Sequence, residues 1–196
     1  MTTMEIKKEN LLAAYNGASD EQKQLLENLF GKETFKPKDV RERIKTFKDA
    51  CNELGENHPY VDQFIMIEKA YHDEKNIGDF IAYLKLRIIT AALNEGWEPQ
   101  FTEGEYRWYF WYDLLTQEEY DELDEDDKSR VVLRSNSYAH AFGGLVYASA
   151  LNASSHSHTS IGSRLAFKSR ELAEYAGKQF IELWADFCFR PEEKAE

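Results

Sequence analysis

Long apolar runs are missing from this sequence. No stretch reaches the roughly 20 consecutive apolar residues that a membrane-spanning helix needs, and the opening "MTTMEIKKENLLAAYNG" has no apolar segment of signal-peptide type. Membrane insertion is therefore not expected. The protein reads as made in the cytoplasm without a signal peptide, a reading compatible with later assembly into a particle. Cysteine is scarce: Cys51 and Cys188 stand far apart and show no metal-type spacing. That excludes a disulfide framework, and both thiols are expected to be reduced and buried. Positive charge is in deficit as well. A formal net charge of −12 repels nucleic-acid backbones and anionic membranes, so nucleic acid is not an expected partner. A phosphate-binding P-loop, a dinucleotide fingerprint and a G-x-S-x-G elbow are all lacking.

What is present suffices for a folded core. The 196 residues can bury apolar surface without disulfide support. Residues 1–96 read as a helical region. "MEIKKENLLAAY" stops at Asn16-Gly17, and Ser19 can cap "DEQKQLLENLF" before Gly31. Pro37 interrupts, Thr46 can cap "FKDACNEL" before Gly55, and His58-Pro59 marks the next boundary. "YVDQFIMIEKAYH" carries a stripe of Val61, Phe64, Ile65 and Ile67 or Glu68. Asp79 is expected to cap "FIAYLKLRIITAAL", with Phe80, Leu84, Ile88, Ala91 and Ala92 on one apolar face.

The character changes at Trp97, and residues 97–196 read as a β-rich region ending in a helix; the two regions are compatible with packing as one unit. "YRWYFWYDLL", "RVVLRS", "GGLVYASAL" and "GSRLAFKS" are expected strands, with Gly143-Gly144 and the Ser/His-rich tract as turns. In the aromatic strand Tyr106, Trp108, Phe110 and Tyr112 alternate with Arg107, Tyr109, Trp111 and Asp113, so one face is expected to be core. Ser169 can cap one final helix, "RELAEYAGKQFIELWADF", with Leu172, Tyr175, Ala176, Gln179 or Phe180, Leu183 and Trp184 as its buried stripe. The fold class is thus α+β: a helical N-terminal half, then a small, mainly antiparallel β region closed by a C-terminal helix.

Candidate chemistry is thin. The acidic run Glu118 to Asp127 lacks the glycine and spaced ligands of a calcium loop and reads as a solvated helix end. His156 and His158 would share a face on an extended segment, with His140 as a third. No Asp, Glu or Cys lies in their window to complete a metal set. No orienting acid stands near any of these histidines in sequence. No metal, no cofactor and no enzymatic activity are expected.

That window is the most unusual part of the chain. Between Arg134 and Arg164 no Lys, Arg, Asp or Glu occurs. Ser, Ala, Asn and Gly are poor builders of a buried strand. They do suit a binding surface: short polar groups adapt their hydrogen bonds, and Tyr138, Phe142 and Tyr147 add rigid contact area. Lys and Glu are depleted in interface cores. A plain Ser-rich linker would have much the same composition.

The segment "RVVLRSNSYAHAFGGLVYASALNASSHSHTSIGSRLAF" resembles the variable region of proteins diversified by diversity-generating retroelements. The match opens on Arg130-Val131-Val132-Leu133-Arg134-Ser135 and closes on Ile161-Gly162-Ser163-Arg164-Leu165-Ala166. Ser135 and Ser163 stand where Gly and Phe are more usual. In such systems template adenines are copied with errors, which from Asn codons cannot produce Lys, Glu, Gln, Met or Trp. None of those five occurs from Ser129 through Phe167, although they make up about a quarter of the chain. The whole chain is also similar to a family of phage and prophage proteins of gut bacteria. The shared segments are "RIKTFKDACNELG" (43–55), "LKLRIITAALNEGWEPQF" (84–101), "EYRWYFWY" (105–112) and "GSRLAFKSRELAEYAGKQFIELWADF" (162–187).

The resemblance implies a hypervariable ligand- or receptor-binding protein, with residues 135–160 diversified on a constant scaffold and a β region of C-type-lectin-like kind. The candidate contact positions are Tyr138, His140, Phe142, Leu145, Tyr147, Ser149, Leu151, Asn152, Ser154, His156 and His158, about half of which alternation would turn toward a partner. Trp108, Phe110, Leu133, Arg164, Leu165 and Phe167 would be framework. The partner would be a protein or a glycan, and self-association or incorporation into a virion is compatible with this. Two alternatives stay open: a phage structural or packaged protein whose window is a linker, and an enzyme using His and Ser there.

Overall fold

Capping chemistry places three helix starts where the sequence puts them, after Ser19, Thr46 and Ser169. The computed structural model describes residues 5–71, 77–100, 102, 104–129, 131–135, 142–154 and 162–188. Two units separate by contacts, Met1–Arg43 and Ile44–Glu196.

In the first unit lie helices α1 (Lys8–Asn16), α2 (Asp20–Phe30) and α3 (Val40–Arg43), with a 3-10 turn at Lys32–Thr34. Ser19 and Gln22 cap α2 reciprocally, each side chain accepting from the other's backbone N–H. Tyr15 ties the unit together. Its ring stacks on Phe35 with centroids 4.2 Å apart, and its hydroxyl donates to the Glu27 carboxylate.

The second unit holds α4 (Phe47–Leu54), α5 (Pro59–Ala70), α6 (Gly78–Asn94), strand β1 (Tyr106–Leu115), α7 (Gln117–Glu122), α8 (Glu125–Lys128), β2 (Val132–Ser135), β3 (Phe142–Ser154), a 3-10 turn at Ser163–Leu165, α9 (Arg170–Gln179) and α10 (Ile181–Cys188). Thr46 and Asp49 form the capping box of α4. Helix α6 is the hub. It buries Ala82, Leu84, Leu86, Ile88, Ile89, Ala92 and Leu93 against α4, α5, α9, α10 and the Ser163–Leu165 turn. A helix apolar around most of its circumference is one packed on most sides. The architecture is an α-rich mixed fold, and among the described residues the β part is one antiparallel sheet in the order β1-β3-β2.

Several expectations are corrected. Asp79 does not cap α6: the helix begins at Gly78 after Ile77, and Asp79 sits in its first turn. The apolar face is displaced toward the C-terminal turns, where neighbouring helices crowd α6, leaving Phe80 43% exposed and Ile65 on α5 also exposed. Gly143 and Gly144 are not a turn. They continue β3, paired with Arg134 and Leu133. "GSRLAFKS" is a 3-10 turn followed by a single bridge from Phe167 to Trp108. The final helix is two: the chain leaves helical geometry at Phe180 (φ −116°, ψ 29°), and Phe180 itself is buried. Cys51 is only half-buried, and Cys188, the last residue of α10, is exposed. β1 buries residues of both alternating sets, Arg107 and Tyr109 as well as Phe110.

Candidate functional site: a small-residue strand and its frame

Of the candidate contact residues, Phe142, Leu145, Tyr147, Ser149, Leu151, Asn152 and Ser154 all fall on β3. Tyr138, His140, His156 and His158 lie outside the described residues. β3 is the central strand, so backbone on both its edges is used in pairing. Tyr147 stands opposite Tyr112, Leu151 opposite Tyr109, Asn152 opposite Trp108 and Ser154 opposite Tyr106, while Leu145 stands between Leu114 of β1 and Val132 of β2. Phe142 pairs with Ser135.

The register slips between Phe110 and Tyr112. Two steps on β1 are matched by three on β3, from Ala150 to Tyr147. The extra residue is a bulge in β3 beside Ser149, and a bulge changes the phase of a strand's alternation. Leu145 and Tyr147 before it, and Asn152 and Ser154 after it, therefore all register with the even-numbered positions of β1. Simple odd-even counting along β3 would have divided them between the two faces.

The frame behind β3 is built from three helices. Asn94, at the last turn of α6, donates from Nδ2 to the Ala166 carbonyl at 2.9 Å and accepts from the Lys168 N–H at 3.0 Å. That fixes the segment 166–168. Phe167 in turn exchanges two backbone hydrogen bonds with Trp108, at 3.0 and 2.9 Å, so α6 holds β1 through this short clip. Lys168 adds an ion pair to Glu95 at 2.8 Å. From the other side, α9 presents Gly177 to Phe110. The Tyr112 hydroxyl donates to the Gly177 carbonyl at 2.9 Å, and the Tyr112 ring packs against Trp184 of α10, 5.8 Å between centroids. Burial pushes the Tyr112 phenol far above its usual range, which keeps that donor protonated. Tyr175 and Gln179 of α9 donate to the carbonyls of Ile44 and Lys45, at 2.6 and 2.9 Å.

No known protein family, curated protein or solved structure matches this chain. Its own geometry therefore carries the functional reading. Of the expected framework residues, Phe110, Leu165 and Phe167 are fully buried, Trp108 is half-buried and Arg164 is exposed; Leu133 pairs with Gly144. Asn94 and Gly177 are the framework residues that sequence reading passed over. Asn94 is the last residue of α6, and Glu95 and Gly96 follow it with positive φ. Gly177 is an isolated glycine inside an amphipathic helical pattern, which usually marks close packing. Among the described residues no cluster of three His, Cys, Asp or Glu could hold a metal ion, and no helix is long and apolar enough to cross a membrane.

Proposed function

We propose that the chain is a recognition protein of phage or prophage origin, a ligand- or receptor-binding protein that displays diversified residues 135–160 on a constant frame. The observation that carries this is a coincidence. The part of the charge-free, small-residue window that the structure describes between its ends, Phe142–Ser154, forms β3, and β3 is held to the aromatic β1 through main-chain pairing along nearly its whole length. Main-chain pairing does not depend on which side chains the strand bears, so those side chains are free to be exchanged. A rigid frame also lowers the entropy lost when a partner is bound. A C-type-lectin-like form of the β region belongs to the same proposal, with the β1-β3-β2 sheet as part of it. The partner is a protein or a glycan, and no catalytic step is involved.

Sequencing the flanking DNA and the same gene from independent isolates tests this. The expected result is a neighbouring reverse-transcriptase gene and a template repeat that differs from codons 135–160 at adenines. Variation spread evenly along the chain would overturn it, in favour of a phage structural or packaged protein.

A further inference from the structure

We propose that the outer face of α5 pairs with the same face of a second copy of this chain, antiparallel, about a two-fold axis between Ile65 and Met66. This surface lies outside residues 135–160 and is independent of their diversification. Helix α5 packs inward through Val61 and Phe64. They face α6 and Phe47 of α4, whose ring meets that of Phe64 edge-on at 5.0 Å. At about 100° of turn per residue, Asp62, Ile65, Met66 and Lys69 fall within an arc of about 100° on the opposite side of the helix. All four are exposed, Met66 by 62%. The stripe is apolar in its middle, negative at the first turn of α5 and positive at the last.

The helix dipole alone favours an acid in the first turn and a base in the last. It gives no reason for Ile65 and Met66 between them. A helix that is apolar away from its packed side as well as on it is one with a partner on each. An apolar centre with a charged rim is the usual build of a protein interface. Among the described residues neither Asp62 nor Lys69 forms an ion pair, so both charges are available to a partner.

The order of the four residues selects the occupant. In an antiparallel pair centred between Ile65 and Met66, Asp62 of each copy meets Lys69 of the other, so both ends are matched. Ile65 meets Met66, and Gln63 beside them meets Glu68, an amide that can donate to a carboxylate. A parallel pair would set Asp62 against Asp62 and Lys69 against Lys69. Charge therefore fixes the direction, and a two-fold pair satisfies both ends with a single self-complementary surface. A chain of formal net charge −12 repels its own copy as a whole; this stripe, with one acid and one base, is balanced. One such stripe per copy covers less than the roughly 1,200 Å² of a standard stable interface, so the association is expected to be weak, with a dissociation constant of about 100 μM.

The test is sedimentation equilibrium of the full chain from about 10 μM to about 1 mM. The expected result is a monomer–dimer equilibrium. Asp62→Lys and Lys69→Asp each set like charges against each other at both ends, and each is expected to weaken the dimer at least about tenfold. In an equimolar mixture of these two variants opposite charges meet again, so association should return close to that of the parent chain. A merely weakened helix could not be rescued by mixing. Met66→Ser should weaken the dimer severalfold. All three positions are exposed, so melting temperatures are expected to change little. The proposal is overturned by a chain that stays monomeric at about 1 mM, by a dimer that the single variants leave unchanged, or by a mixture that associates no better than either variant alone.

Discussion

β1 and β3 are paired over most of their length and opposite in composition. "YRWYFWYDLL" is bulky and aromatic; "FGGLVYASALNAS" is mostly small and uncharged. In β1 the side chains are the structure: Arg107 is 0% exposed, Tyr109 2% and Phe110 3%. At its start Tyr106 is 57% exposed. β3 shares a main-chain ladder with β1. Its ladder uses N–H and C=O groups that every residue except proline supplies, and residues 135–163 contain no proline. On the proposed reading the two strands differ in how much substitution they tolerate: β1 depends on what its side chains touch, whereas the ladder that joins them needs no particular side chain on β3.

The largest effect is expected where the frame is tightest. A Cβ on Gly177 would lie 2.1 Å from two ring carbons of Phe110, far inside contact distance. Gly→Ala inside a helix ordinarily stabilises by up to about 1 kcal/mol. Here overpacking reverses the sign, and Gly177→Ala should lose about 2–3 kcal/mol in urea unfolding. Pairing it with Phe110→Leu should recover part of that loss, since the obstruction is the ring. A Gly177→Ala protein as stable as the parent would mean that α9 does not press on β1.

Asn94→Ala comes next. It leaves the Ala166 carbonyl and the Lys168 N–H without partners in a buried setting, at a cost of about 2 kcal/mol. The bridge from Phe167 to Trp108 should loosen with it, so amide exchange at Trp108 and Phe167 should accelerate more than exchange in α4. Equal acceleration everywhere would show that Asn94 contributes only to general stability and does not act as a clip.

A smaller effect should appear in alkali. In the folded chain Tyr112 stays protonated far above its usual range, and in the unfolded chain it ionises near pH ~10. Its contribution is therefore complete below pH ~10 and falls as pH rises beyond it, because the unfolded state then releases a proton that the folded state keeps. Cys188 would add a slope of its own: desolvation pushes its thiol up to about 11, although the residue as a whole is exposed. With Cys188→Ala as the common background, Tyr112→Phe should flatten the decline of melting temperature between pH ~9.5 and ~11. Identical profiles would place the Tyr112 hydroxyl in water.

Much of this frame was legible in the sequence, and the reasons for the remainder are physical. Ser19, Thr46 and Ser169 act locally, each accepting from a backbone N–H three residues on, so their N-cap chemistry could be read directly; Thr116 caps α7 in the same way and was not read. Asp79 has the same chemistry, but Ile77 takes the cap position; local preference there gives way to how α6 packs. The break at Phe180 and the clip at Asn94 depend on partners 70 or more residues away or on a core contact, and no local pattern encodes them. On the candidate surface, the strand itself was visible as a small-residue run. The bulge beside Ser149 was not, since it arises only from pairing with β1, and it decides which positions share a face. Gly143 and Gly144 misled because glycine pairs are usual turn signals, whereas here they sit in the sheet's central strand.

The smallest effect is expected in β3, and it tests the contrast between the strands most directly. Tyr147→Asn, Asn152→Tyr and Leu145→Ser exchange residue types of the kind that adenine substitution interconverts. If backbone pairing is what holds β3, each should change stability by no more than about 1 kcal/mol, the span of strand propensity itself. Phe110→Ala in the adjoining strand should cost about 3–5 kcal/mol, since it removes a buried ring from against α9. Urea unfolding of the four variants side by side gives the ratio. Should Tyr147→Asn prove as damaging as Phe110→Ala, β3 would be core like β1, its side chains could not be exchanged freely, and a diversified surface could not be built on it.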